Sequence, residues 1–225
     1  MKTQLKFAAA GAILAFAPTV VADTATTNGS DALIWQPSNG EVLDFLVLRQ
    51  GNEFGYHTVT FETSGDQLRV ENDIELEVKA GPFTLFYYGH ESDEVWEDGE
   101  LLSMTGETRK DGDDFTLSAM RENGELSVQG TNFSGNVRAD IIPSSHWNVR
   151  EVQSNQILSS EDGQLLDVAV EHLGQEEIEA GGETIVADRY RLQSDLTVDL
   201  WYDETGRWVK CVFEARGQSI EYVLQ

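Results

Sequence analysis

Carboxylates aside, few side chains in this sequence are equipped for chemistry. The 225 residues include four histidines and one cysteine, with 40 Asp+Glu against 15 Lys+Arg and a formal net charge of −25. His57, His90, His146 and His172 lie far apart along the chain, so any metal site or proton relay depends on the fold bringing them together. His90 with Glu94 is the nearest histidine–carboxylate spacing of interest. Such a pair could hold a metal or move a proton, since imidazole titrates near neutral pH; a buried, hydrogen-bonded structural role is the plainer reading. The remaining carboxylates mostly alternate with apolar residues, as solvated strand faces do. A catalytic acid needs burial or a neighbouring like charge to raise its pKa. No His-Glu-x-x-His pair, Gly-x-Ser-x-Gly elbow or phosphate loop occurs. Asp111-Gly112-Asp113-Asp114 lacks the alternating ligands and closing Glu of a calcium loop and reads as a hairpin turn. No catalytic residue, metal ligand or cofactor follows from this inventory.

Aromatic residues are the remaining candidates. Trp96, Trp147, Trp201 and Trp208, with Tyr87, Tyr88, Tyr190, Tyr202 and Tyr222, fall in or beside segments of strand character. Some fill a core; others could line a cavity for an apolar or amphipathic ligand. The candidate ligand contacts are Tyr88, His90, Glu94, Trp96, His146, Trp147, Tyr190, Trp201 and Tyr202. Cys211 alternates with Val209, Phe213 and Ala215 on an apolar face and is expected to be buried and inert.

The elements that must position these groups are strands. Turn signals recur at short intervals, among them Gln50-Gly51-Asn52, Ser64-Gly65-Asp66, Asp98-Gly99, Asn123-Gly124 and Arg216-Gly217. Asn-Gly and Asp-Gly pairs favour the positive backbone angles of tight hairpins. Between the turns the pattern has period two. In residues 67–80, Leu68, Val70, Ile74, Leu76, Val78 and Ala80 share one face, broken only by Asn72, and charged residues fill the other. A strand that long predicts a strongly curved sheet. Further strands are expected at 42–49, 54–63, 84–91, 94–97, 101–108, 115–122, 125–131, 165–173, 184–192, 196–203, 208–215 and 219–224. One short helix is expected over 144–159, capped by Ser144 or Ser145. The fold class is therefore mainly all-β, an antiparallel meander forming a curved sheet or incomplete β-barrel.

Met1–Ala22 has the form of a secretory signal. Lys2 and Lys6 precede a short apolar run, and Val20-Val21-Ala22 suits cleavage before Asp23. The run is shorter than a bilayer span, and no other segment reaches that length. Residues 23–39 read as a flexible leader and 40–225 as a single domain, exported to a periplasm or beyond the cell. The acidic balance excludes a nucleic-acid partner, disfavours anionic headgroups and suits high salt or a basic protein.

Several stretches resemble a family of uncharacterised secreted bacterial proteins catalogued as a domain of unknown function. They are Phe54-Gly55-Tyr56-His57; Tyr88-x-His90-x-x-x-Glu94-x-Trp96-x-x-Gly99-x-Leu101; Pro143-Ser144-Ser145-His146-Trp147-Asn148; Ala187-x-Arg189-Tyr190-x-Leu192; Leu200-Trp201-Tyr202-Asp203-x-x-Gly206-Arg207-Trp208-Val209; and Phe213-x-Ala215-x-Gly217-x-x-Ile220-x-Tyr222-x-Leu224. The likeness covers about residues 42–225. More distantly the chain is similar to the half-barrel sheets of periplasmic lipoprotein carriers. The resemblance implies a fold and a compartment but no activity. Together these readings favour a non-enzymatic binding or carrier module whose concave face shelters an apolar small molecule or lipid. The alternatives are an enzyme or assembly factor using His90, Glu94 and His146, or a scaffold meeting a protein partner through its sheet edges.

Overall fold

The structure is a computed structural model that describes residues 35–225; Met1–Ala22 and most of the leader lie outside the described residues. The strands are β1 (Val42–Arg49), β2 (Asn52–Ser64), β3 (Gln67–Ala80), β4 (Phe83–Glu97), β5 (Glu100–Lys110), β6 (Asp113–Glu122), β7 (Glu125–Gly130) and β8 (Ser134–Arg138). After a connection carrying the short β9 (Ile142–Pro143), β10 (Gln156–Leu158) and β11 (Leu165–Asp167) come β12 (Ala169–Ala180), β13 (Glu183–Gln193), β14 (Thr197–Asp203), β15 (Trp208–Ala215) and β16 (Gln218–Leu224). Four hairpins follow directly from the turn signals in the sequence: Asp98, Asp111, Asn123 and Arg216 hold positive φ, each followed by a glycine that does the same.

Thirteen strands form one antiparallel sheet in the order β12-β13-β14-β15-β16-β1-β2-β3-β4-β5-β6-β7-β8. The two meanders are zipped together in the middle, where β1 pairs β16 with Phe45 opposite Leu224 and Val47 opposite Tyr222. The sheet does not close: β8 and β12 are its two edges. The predicted break between 91 and 94 is absent, and β4 runs unbroken for 15 residues. Its even-numbered residues from His90 to Trp96 are buried while Glu91 is exposed, the period-two partition expected of a one-faced strand.

The helix expected over 144–159 is a single 3-10 turn, Val149–Gln153, capped by Asn148, whose Oδ1 accepts from the Arg150 amide at 3.1 Å. The reason is local. His146 holds φ +65°, and Leu158 and Ile157 are drawn into parallel pairing with β9. Trp147, Val149, Val152, Ile157 and Leu158 are all buried, so this stretch is enclosed on several sides, which an amphipathic surface helix is not.

Residues 139–168 form a strap against the inner side of the sheet, and the sheet makes room for it. At Gly106 of β5 an added Cβ would lie 2.6 Å from the Ser160 carbonyl oxygen. At Gly130, the end of β7, it would lie 2.2 Å from that of Asp162. Asn132 fastens the same place, its amide donating to Asp162 O at 3.1 Å and its Nδ2 to Asp162 Oδ2 at 2.5 Å. The alanine variants Gly106→Ala and Gly130→Ala are each expected to lower stability by about 1–3 kcal/mol through forced displacement of the strap. Urea unfolding checks this, with Gly130→Ala the costlier of the two.

Candidate functional site

The inner face carries a polar row inside an apolar core. Asn72, the single break in the apolar stripe of β3, is 3% exposed. Its Oδ1 meets His57 Nε2 of β2 at 3.4 Å, and its Nδ2 donates to Ser92 Oγ of β4 at 3.2 Å. Two residues along β4, His90 Nδ1 meets Thr108 Oγ1 of β5 at 2.7 Å. Hydrogen bonding across neighbouring strands offsets part of the cost of burying these groups. It is incomplete: His57 Nδ1 and His90 Nε2 have no partner among the described residues. Burial, helped by the nearby His146, lowers the His57 pKa to about 3. Burial lowers that of His90 to about 4.

Glu94 anchors the strap to the sheet. It is fully buried, and Oε2 accepts both the Trp96 indole N–H at 2.8 Å and the Trp147 indole N–H at 3.0 Å. The two indoles meet edge to face with centroids 5.4 Å apart. Burial raises the Glu94 pKa against the opposing pull of these hydrogen bonds. One residue before Trp147, the strap makes a second polar knot. His146 lies with Nδ1 3.1 Å from Glu151, whose carboxylate also accepts the His146 amide at 2.9 Å. The Tyr202 hydroxyl donates to His146 O at 2.8 Å, and the His146 ring packs edge-on to Trp208 at 5.4 Å.

The nine candidate contacts therefore separate into groups. Glu94, Trp96 and Trp147 meet; His146 and Tyr202 meet; Tyr190 packs against Tyr202 at 6.2 Å. Tyr88 lies at the end of the inner row, with Lys110 Nζ 5.8 Å from its ring. Trp201 is on the outer face, between Arg189 at 4.9 Å and Lys210 at 5.4 Å, with its indole N–H donating to Glu176 at 2.6 Å. Beside it Asp199 binds Arg189 and Arg191. Burial alone would raise its pKa, but the two guanidinium groups hold it below the usual carboxylate range. No hydrogen bond joins His90, Glu94 and His146 among the described residues: each is engaged elsewhere, with Thr108, with two indoles and with Glu151. Cys211 is fully buried and its thiol pKa is pushed well up by burial. Glu151 and the His57–Asn72–Ser92 run are the polar features that sequence reasoning passed over. Asn72 in an apolar stripe was the available signal for the second; nothing local marked the first.

The concave face is thus covered by the chain's own strap. An open groove lies instead at the seam where the sheet fails to close. It has a volume of about 540 Å³ and is lined by Arg138 at the end of β8, by Asp140, Arg150, Val152, Gln153, Ser154, Asn155 and Val168 of the strap, and by Val170 at the start of β12. That volume is within the range of small-ligand sites. Among the described residues each arginine has one side-chain partner, Arg138 with Asp140 at 3.2 Å and Arg150 with Gly99 O at 2.6 Å. A guanidinium carries five N–H donors, so both retain donors for an anion.

Two outcomes test this polar core. His57 and His90 stay neutral in the fold down to about pH 3 and 4, yet take a proton near 6.5 when exposed. Unfolding therefore takes up protons between those limits, and their contribution to stability is lost progressively as pH falls below 6.5. In His90→Gln the fall in unfolding free energy from pH 6 to pH 4.5, measured by urea titration, is expected to be shallower by about 1 kcal/mol per pH unit. Glu94→Ala strands two buried indole donors and is expected to cost roughly 2–5 kcal/mol. Glu94→Gln keeps an acceptor and removes a charge that burial penalises, and is expected to cost under about 1 kcal/mol.

A family model described as a domain of unknown function, DUF6134, matches residues 45–225. No curated protein matches the chain. Among solved structures, a crystal structure titled as a beta-barrel-like protein of domain of unknown function DUF1849, from Brucella abortus, is similar with a TM-score of 0.59. The two share 10% sequence identity over 82% of this chain and 95% of that one, a likeness of fold alone. Because the family match runs through all but the first few residues of the described body, the chain belongs to the DUF6134 family.

Proposed function

We propose that the protein is an exported, non-enzymatic binding module for an amphipathic molecule carrying an anionic group, seated in the seam between β8 and β12. The observation that carries this reading is the pairing of two arginines with three valines in one groove of a chain whose net charge is −25. In a strongly acidic protein, two arginines in a largely polar groove that also holds Gln153, Ser154 and Asn155 favour an anionic head, with Val170 beside it for an apolar part of the same molecule. Val152 and Val168 are already buried, so Val170 is the half-buried apolar contact, and each CH₂ buried against it gains up to about 0.8 kcal/mol. Arg138 and Arg150 supply charge-assisted hydrogen bonds to the head. The sheet edges suit this role, since an unclosed barrel leaves a cleft that a closed one does not. Export rests on the pattern of Met1–Ala22.

The test has two arms. Native mass spectrometry of protein gently extracted from a producing bacterium is expected to give a chain beginning at Asp23 with additional bound mass. NBD-labelled dodecanoate is expected to bind the purified protein, with Arg138→Glu weakening it by about tenfold or more, the loss of roughly one charge-assisted contact. Clean apo protein together with no probe binding, or binding indifferent to Arg138→Glu and Val170→Asp, would refute the seam as the seat.

A further inference from the structure

The β12–β13 hairpin folds back over the outer face of the sheet, and one side of it is left open. Glu176 of β12 accepts the Trp201 indole N–H on that face at 2.6 Å, and at the hairpin tip the Gly181 amide donates to Leu224 O of β16 at 3.0 Å. β12 is an edge strand, paired with β13 alone. Its turn is Gly181-Gly182, both residues at positive φ. A two-residue turn of this kind closes on a pair that bond to each other, here Ala180 and Glu183, and the bonding pairs then recur at every second residue. Ile178 and Glu176 therefore turn their main-chain groups towards β13. Glu177 and Glu179 turn theirs away from it, and these have no backbone partner among the described residues.

A groove of about 450 Å³ runs along this free edge. Residues 176–179 of β12 line one side and Lys210, Glu221, Tyr222 and Val223 of β15 and β16 the other, with no residue of β13 between them. Four of these residues are carboxylates and one is a lysine. Glu221 takes the lysine at 2.6 Å, and Glu176 is held by the Trp201 indole and lies 3.8 Å from Arg189. Glu179 accepts the Thr184 hydroxyl. Glu177 and Glu179 are exposed and have no ion-pair partner among the described residues. Ile178 and Tyr222 are already buried, so the apolar contact on offer is the half-buried Val223. In register beside it stand Leu46 and then Tyr56, which continue an apolar strip across the outer face.

We infer that this edge takes up an extended, basic segment of another protein as an added β-strand. Open main-chain groups two residues apart, about 6.8 Å along a strand, are what an extended chain pairs with. Alternation in the added strand puts lysine or arginine beside Glu177 and Glu179 on the solvent side and apolar side chains over Val223 on the sheet side. A second copy of this chain does not fit: pairing β12 with itself would set Glu177 and Glu179 against their own kind, in a protein of net charge −25. The same charges that keep copies apart at an open edge draw a cation-rich strand to it. This inference is independent of what the seam binds.

The probe is a fluorescein-labelled heptapeptide of alternating lysine and valine, titrated into the full chain at low salt and followed by anisotropy. Saturable binding is expected, with hydrogen exchange at the Glu177 and Glu179 amides slowed by the peptide. Glu177→Gln combined with Glu179→Gln is expected to weaken binding roughly five- to tenfold, the loss of two surface ion pairs. Methylating the backbone amides of the peptide keeps every charge but removes strand pairing, and is expected to weaken binding about tenfold or more on the unaltered chain. Circular dichroism checks that the variant keeps its sheet. No binding, indifference to either change, or amide protection that falls elsewhere would overturn the inference. So would displacement by spermine as effective as that by unlabelled peptide, which would make the edge a site for cations without strand pairing.

Discussion

An unclosed sheet of thirteen strands has a greasy inner face that must be kept from water, and burial of that face is the constraint on which this structure depends. A closed barrel would bury it against itself. Here residues 139–168 are laid into it, and the rest of the architecture accommodates that insertion. Glycines stand where sheet and strap backbones come closest, at Gly106 and Gly130. A buried carboxylate, Glu94, collects one indole from the sheet and one from the strap. Tyr202 reaches from the far meander to the His146 carbonyl. The strap thus touches both halves of the sheet, whose strands are joined by the β1–β16 pairing and whose side chains also meet, as where His57 packs against Trp208 and Tyr222.

Alternation along the strands was legible because a one-faced strand imposes period two on its side chains, and hairpin positions were legible because Asn-Gly and Asp-Gly need positive φ. The 67–80 strand and its Asn72 break are the clearest instance, and the break proved to be the hinge of a polar row. The strap was not legible. Its buried residues are set by contacts with strands distant in sequence, so Trp147, Val152 and Ile157 mimic a helical stripe while serving a segment enclosed on several sides. Trp201 shows the same limit at one residue. On a strand buried on both faces, alternation says that Trp201 and Tyr202 point oppositely but not which points inward.

The functional consequence follows from the covering of the inner face. Of the side chains that look like ligand contacts in sequence, Glu94, Trp96, Trp147, His146 and Tyr202 tie strap and sheet together, and the acid–base groups His90, Glu94 and His146 belong to separate hydrogen-bonded sets. What the fold leaves accessible is peripheral: the groove where the barrel fails to close, and the β3–β4 hairpin tip with Phe83 and Leu85 exposed. The groove arises because the sheet's edges, β8 and β12, never pair.

The central claim is that the strap is an integral part of the core and not a lid over a ligand chamber. Native-state hydrogen exchange tests it most directly. Bonded amides of the strap, such as Ser144, Trp147 and Ser159, are expected to exchange as slowly as those in the middle of β3 and β4, opening only with global unfolding. Rapid exchange across 141–160 while the sheet stays protected would contradict it, and would return the concave face to consideration as the place where a ligand sits.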